Sequence, residues 1–191
     1  MIIFFLFILI HFCNMSILTN CPKTGDSLFD VIHLFIPKEL VYFGFVSDIL
    51  TIFILLFTVV HMCHCGKLFL FSKSLLTNMT LKLFISMLTI MPDPSGICDI
   101  KPFAFVMGRC NDLVVSGHAS NSLLCYYFYH QYCNQNLSFE RKRKLDNLFW
   151  YFILCNCIWI IISRNHYTTD VIFSFFVSRF VFEQRENTYA Y

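Results

Sequence analysis

The sequence predicts an all-α, polytopic membrane protein with six transmembrane helices in a single domain, residues 1–191. Three observations predict it. The chain is 57% hydrophobic and 14% charged, with a mean hydropathy of +0.63, whereas a soluble domain carries about 25% charged residues. Its apolar residues gather into segments approaching the ~20 residues that a helix needs to cross a bilayer. Lys and Arg fall in alternate connections, as the positive-inside rule requires.

The elements follow in chain order. Residues 1–18 form a first span, with His11 and Asn14 as polar breaks. They lack the positive n-region and small-residue cleavage site of a signal peptide. Residues 19–40 are mixed, and Pro22, Gly25 and Pro37 break helix there. Residues 41–62 are a strong second span; residues 75–91 are a weaker third, interrupted by Asn78 and Lys82. Residues 92–111 are a loop, stopped at its start by Pro92-Asp93-Pro94. Residues 113–132 are a fourth span with small polar residues on its first turns. Residues 148–162 and 171–182 complete the six, and residues 183–191 read as a polar tail. There is no internal repeat.

Lys67 and Lys73, with Lys82 close by, mark the connection between spans two and three as cytosolic. Arg141-Lys142-Arg143-Lys144 does the same for the connection between spans four and five. Alternation then puts residues 19–40, 92–112 and 163–169 on the opposite side. The sequons at Asn14, Asn78 and Asn136 lie in or near spans or on the cytosolic side, so none is expected to be modified.

A net charge of +2 gives no broad basic face for nucleic acid. Of ten cysteines, Cys13, Cys63, Cys125, Cys155 and Cys157 lie in or beside apolar runs, where a thiol behaves as a small hydrophobe. The sequence leaves open a Cys98–Cys110 bridge across the loop before the fourth span. Cys63-His64-Cys65 has no second ligand cluster, so no metal is expected.

Two motifs carry the chemistry: Ser116-Gly117-His118, and His166-Tyr167-Thr168-Thr169-Asp170. Both fall on the same predicted face, at the edges of apolar spans, where ionisable groups are a functional-site hypothesis by default. His166 and Asp170 are four apart, so a helix starting there puts them on one face. Asp170 would fix the tautomer of His166 and stabilise its charge while the other ring nitrogen attacks phosphorus. Gly117 and Ser116 open a helix N-terminus that suits a phosphate. His118 would protonate a leaving alkoxide and then deprotonate an acceptor hydroxyl. Arg164, two residues before His166, would fork onto phosphate oxygens. Either motif alone is more often an ordinary polar pair; together, on one face of an apolar chain, they favour phosphoryl transfer.

The remaining polar residues read plainly. His11, His33, His61, His64 and His130 are scattered and receive no role. Asp48 opens span two as a cap or a snorkelling side chain. Trp150 and Trp159, with Tyr126, Tyr127 and Tyr129, suit span ends.

Residues 110–118, Cys-Asn-Asp-Leu-Val-Val-Ser-Gly-His, resemble the Cys-Gly-Asp-x-x-x-Ser-Gly-His-Thr motif of sphingomyelin synthases. Residues 166–172, His-Tyr-Thr-Thr-Asp-Val-Ile, resemble the same family's His-Tyr-[Ser/Thr]-x-Asp-Val-[Ile/Val]. The wider superfamily, the type 2 phosphatidic acid phosphatases, has Ser-Gly-His and Ser-Arg-x(5)-His-x(3)-Asp. Ser163-Arg164 is similar to the latter, with one residue before the histidine where the signature has five. The resemblance covers roughly residues 88–182, which would form the catalytic core.

What the resemblance implies is a lipid phosphotransferase that moves a phospho-headgroup from a glycerophospholipid to ceramide and releases diacylglycerol. His166 would be the nucleophile, Asp170 its orienter and His118 the acid and then the base, with no metal or other cofactor. Asp112 matches the motif aspartate, placed to orient His118 or a headgroup or else to cap the fourth span. Membrane lipids would be the partners: ceramide, and phosphatidylcholine, -ethanolamine or -inositol as donor. The implied setting is the Golgi, endoplasmic reticulum or plasma membrane, with the site on the non-cytosolic face. Asn111 and Ala119 depart from the motif. Ser27-Leu-Phe-Asp30 matches the family's Pro-Leu-Pro-Asp only loosely, and the paired arginines of span three are absent, with only Lys82 nearby. The rival readings are a lipid phosphate phosphatase, in which water takes the phosphohistidine, and a non-catalytic lipid-binding membrane protein.

Overall fold

The computed structural model describes Leu9 and residues 30–88, 114–133 and 138–189. Helix is the only regular structure among them. A short helix α1 (Val31–Leu34) and a 3-10 turn (Lys38–Phe43) lead into α2 (Phe45–His64) and α3 (Leu68–Leu88). Then come α4 (Gly117–Phe128), prolonged by a π turn (Tyr129–Cys133), α5 (Phe139–Ile162) and α6 (Thr168–Tyr189). Among the described residues, three stretches are long and apolar enough to cross a membrane: Lys38–His64, Leu68–Ile85 and Phe139–Ile162. The protein is an all-α membrane protein. The first span and the Cys98–Cys110 pair lie outside the described residues (Leu9 excepted), as do Asp112 and the Asn14 and Asn136 sequons.

Helix α4 is the hub, packed against α2, α3, α5 and α6. A helix surrounded on every side must bury every face. Leu123, Leu124, Cys125 and Phe128 are fully buried, and the small residues Gly117, Ala119, Ser120 and Ser122 let its neighbours come close. Ile54 and Met62 of α2, Phe71 of α3, Ile153 and Ile160 of α5, and Val181 of α6 close the core around it. The outer faces carry exposed apolar side chains, among them Phe53, Leu56, Phe84, Phe173 and Phe176.

Two helix ends are closed by the same device. At the end of α2, Lys67 N–H donates to Met62 O (2.9 Å) and Gly66 N–H to Cys63 O (3.1 Å). This is the Schellman pattern, and Gly66 supplies the left-handed residue at φ +67°. At the end of α5, Asn165 N–H donates to Ile160 O (3.1 Å) and Arg164 N–H to Ile161 O (3.0 Å). There the left-handed position, φ +54°, is occupied by Arg164, a conformation that costs a residue with a Cβ about 1 kcal/mol or more. What offsets it is the side chain. Its Nη2 donates to the carbonyls of His33 and Ile36, strapping the segment before α2 onto the α5–α6 turn.

That strap has a second anchor. The Asp30 carboxylate accepts from Thr168 N–H (2.7 Å) and Thr168 Oγ1 (3.1 Å) at the start of α6. It also accepts from Ile32 N–H (3.0 Å). Burial alone would raise the Asp30 pKa. The bonds from Thr168 and Ile32 and the nearby His33 outweigh that and hold it below the ordinary carboxylate value. A carboxylate with a depressed pKa stabilises the fold above its unfolded pKa, and loses that contribution as pH falls through the folded value. Asp30→Ala is therefore expected to cost about 1 kcal/mol at pH 7. The difference from wild type should shrink as the pH drops below about 4, as read by thermal unfolding in detergent.

Several sequence expectations are corrected. Helix α5 starts at Phe139, so Arg141 to Lys144 lie on its first turns instead of in a loop before residue 148. These first turns are charged and mostly exposed, and they run ahead of the apolar part. Helix α6 runs on to Tyr189, so most of the expected tail is helical, supported by an Arg179–Glu183 pair four residues apart (2.6 Å). Helix α3 begins at Leu68, which moves Lys82 fourteen residues along the helix, about 21 Å from its start. Lys82 therefore sits far from the Lys67 end. Three of the histidines left without a role have partners. His33 Nε2 meets Ile161 O at 3.0 Å, His61 Nδ1 meets Phe57 O at 2.8 Å, and His130 lies 3.6 Å from Asp146.

Candidate active site

The starts of α2, α4 and α6 and the far half of α3 meet at one end of the bundle. Ser116 begins α4: its Oγ accepts from Ala119 N–H (3.3 Å), as an N-cap residue does. Its backbone is clasped to α6. Ser116 N–H points at Asp170 O (3.5 Å), and Ser174 Oγ donates to Ser116 O (3.1 Å). The two motifs, fifty residues apart in sequence, are thus joined through the main chain.

His118 stands in the first turn of α4. Its Nε2 is 2.8 Å from Oδ1 of Asp48, in the first turn of α2. The side chains are only 10% and 12% exposed, so each charge or dipole has the other as its close partner. The expectation that Asp48 is a cap or a snorkelling side chain is corrected: it faces inward and pairs with a motif histidine. His118 is also within electrostatic reach of His166 and Lys82.

His166 lies two residues before α6 and is buried with Asp170. Its Nδ1 is 3.5 Å from Asp170 Oδ2, close enough for an ion pair but without hydrogen-bond alignment. The same Oδ2 accepts from Tyr167 N–H (3.0 Å). Asp170 thus caps the start of α6 and faces His166 at once. The neighbouring Asn165 donates from Nδ2 to Gly44 O (3.2 Å) and Ser47 Oγ (2.9 Å), fixing the histidine turn against the start of α2. A Cβ at Gly44 would sit 2.6 Å from the Asn165 Oδ1, so any side chain there would have to push this amide aside.

Lys82, almost fully buried, comes in from α3. Its Nζ lies 2.8 Å from the point a Cβ on Gly117 would occupy. Gly117 makes room for an ammonium at the N-terminus of α4. One turn deeper, Asn78 donates from Nδ2 to Asn121 Oδ1 (2.8 Å) and Ser120 Oγ (3.2 Å). On the opposite flank of α4, Asn156 donates to Ser122 Oγ (3.0 Å) and Thr51 Oγ1 (2.9 Å).

His118, His166, Asp170, Ser116 and Gly117 are therefore brought together at one end. Arg164 is not: its Nη2 is spent on the carbonyls of His33 and Ile36, so the expected fork onto phosphate is corrected to a structural strap. Asp48 and Lys82 were missed as site residues. Their signal was present, because ionisable groups at membrane depth are costly for them as for the histidines. Among the described residues no cluster of three or more His, Cys, Asp or Glu side chains is placed to hold a metal.

Residues 109–188 match the family model for the PAP2 superfamily C-terminal domain. Over 99 residues, half of this chain, the sequence is 27% identical to phosphatidylinositol:ceramide inositolphosphotransferases of Oryza sativa, from both indica and japonica. It is equally similar to phosphatidylinositol:ceramide inositolphosphotransferase 3 of Arabidopsis thaliana. The match spans 28% of the rice proteins and 32% of the Arabidopsis protein. No solved structure matches the chain. Both histidine motifs lie inside the stretch that matches the PAP2 superfamily C-terminal model, residues 109–188.

Proposed function

We propose that the protein is a membrane lipid phosphotransferase that works through a phosphohistidine on His166. The observation that carries the reading is the pair of histidine–aspartate contacts, His118 with Asp48 and His166 with Asp170, at one end of the bundle. Each histidine has one nitrogen turned to its carboxylate, which leaves the other for chemistry. Nε2 of His166 attacks phosphorus, the N–P bond forms and the P–O bond to the glycerolipid breaks. His118 gives the leaving alkoxide its proton through Nδ1, and diacylglycerol departs. The acceptor hydroxyl then returns a proton to His118 as its oxygen attacks phosphorus and the N–P bond breaks. The Lys82 ammonium and the N-terminus of α4 face the phosphate oxygens. Asp112, by its motif position, is assigned to orienting a headgroup.

The matched relatives are named for inositol transfer to ceramide, which supports phosphatidylinositol as donor ahead of the choline and ethanolamine lipids. The basic start of α5 supports a site on the non-cytosolic face, and a Golgi, endoplasmic reticulum or plasma membrane is the setting proposed with it. The test is a transfer assay in membranes holding the full chain, with fluorescent ceramide and each of the three donors. An inositol-phosphate-bearing ceramide product is expected. Phosphate released to water without any ceramide product would replace this reading with the phosphatase one.

Gly117→Ala tests the cation. The atom in the way is the end of a flexible side chain, so the fold should survive while the ammonium is pushed off. Transfer is expected to fall about tenfold or more, because a misplacement of about 1 Å is costly to oriented chemistry, with melting temperature nearly unchanged.

A further inference from the structure

The register between α3 and α4 places two polar contacts one turn apart. Lys82 meets Gly117 at the site, and Asn78 meets Asn121 four residues deeper on both helices, about 6 Å further from the site end. The deeper pair is incompletely satisfied. Asn78 is fully buried, yet its Oδ1 has no hydrogen-bond partner. Asn121 is only partly buried, and its Nδ2 donates to the thioether of Met79 at 3.4 Å, a weak acceptor. An apolar pair would cost less there, since an unpaired polar atom away from water is expensive.

One acceptor and one underused donor are the complement of a secondary amide. We propose that Asn78 and Asn121 form a binding site for the amide of the acceptor lipid, Asn78 Oδ1 accepting its N–H and Asn121 Nδ2 donating to its carbonyl. This deepens the phosphotransfer reading and rests on it for the position of the reacting hydroxyl. A lipid that presents a primary hydroxyl to His118, with its tails running into the bilayer, carries an amide on the adjacent carbon to about this depth. An ester acceptor has no N–H to offer Asn78. A site built around a hydrogen bond rejects the analogue that lacks it more strongly than a purely apolar site does.

The test is binding, so that it does not depend on turnover. Full-length protein in lipid nanodiscs is titrated with a photoactivatable ceramide, and ceramide and N-methylceramide compete for it. The two competitors share tails and hydroxyls and differ in the amide N–H. Wild type is expected to prefer ceramide about tenfold, the scale of one buried hydrogen bond left unmade. Asn78→Leu should bring the ratio close to one. Should Asn78→Leu fail to fold, Asn121→Leu serves: it should weaken both competitors together by about the same factor. Equal binding of the two competitors by wild type, or a tenfold ratio that survives in Asn78→Leu, would overturn the proposal and leave the pair as helix packing. If the ratio behaves as expected but no donor yields a ceramide product, the phosphotransfer reading fails while the amide site stands.

Discussion

Membranes carrying His166→Ala are expected to make no ceramide product, a loss of about 10⁴-fold or more, and to show no acid-labile phosphate on the protein. The size follows from the chemistry. A nucleophile that forms a covalent intermediate cannot be bypassed by its neighbours, and the groups around it act as a unit. His118→Ala should be nearly as inactive toward ceramide, for a different reason: the alkoxide leaves without a proton. A donor with a good leaving group needs no such proton. With one, His118→Ala should still load phosphate onto His166, and His166→Ala should not. Labelling with that donor, followed by acid and alkali treatment of the protein, separates the two roles. Phosphate retained on His166→Ala would end the phosphohistidine mechanism. Because His166 is buried, ceramide binding by the variant should be measured alongside, to show that its lipid site is intact.

Asp48→Asn is expected to lower kcat about 100-fold while leaving the KM for ceramide nearly unchanged. Asp48 sits behind His118, 2.8 Å from Nε2, and is assigned to positioning that ring. An amide keeps the shape and can still hydrogen-bond the ring, but it cannot balance the positive charge that His118 carries before it protonates the leaving alkoxide and again after it takes the acceptor's proton. General acid–base catalysis is worth about 10²–10⁴-fold, and the loss should fall at the low end because His118 itself remains. Asp48→Glu should recover part of the rate, since the charge returns on a longer arm. A purely structural Asp48 would instead lower the melting temperature and affect kcat and KM without this order of recovery. Equal activity of Asp48→Asn and wild type would remove Asp48 from the mechanism.

Much of the site was legible in the sequence because the residues concerned are costly where they are. His118, His166 and Asp170 stood out against an apolar background, and their shared face followed from the basic residues of other connections. The resemblance of residues 166–172 to a known motif supplied the roles proposed for them. What escaped was pairing between distant segments. Asp48 is seventy residues from His118, and nothing local marks which of several buried polar groups a histidine will meet. Lys82 and Asn78 looked like flaws in a weak span, because a polar residue among apolar ones lowers hydropathy whether or not it faces a partner. Their spacing of four was the usable signal. Arg164 misled for the opposite reason. Its sequence position beside His166 suggested phosphate, whereas a left-handed backbone at the end of α5 turned its side chain toward the strap. Helix limits were missed where charged turns extend an apolar core, at Arg141 to Lys144 and beyond Glu183. Local propensity favours helix there even though hydropathy ends.

The clasp between Ser116 and α6 has a mechanical consequence. Bilayers differ in thickness by several ångströms, and spanning helices answer by tilting or sliding. The starts of α4 and α6 are tied main chain to main chain and through the Ser174 hydroxyl, so such tilts carry both histidine motifs together. Helix α3 reaches this end through the ammonium of Lys82 beside Gly117. In lipids of increasing chain length the reacting pair should hold its spacing while the α3 side shifts against it. Thickness would then register in how well phosphate is gripped, leaving the nucleophile and its acid in step.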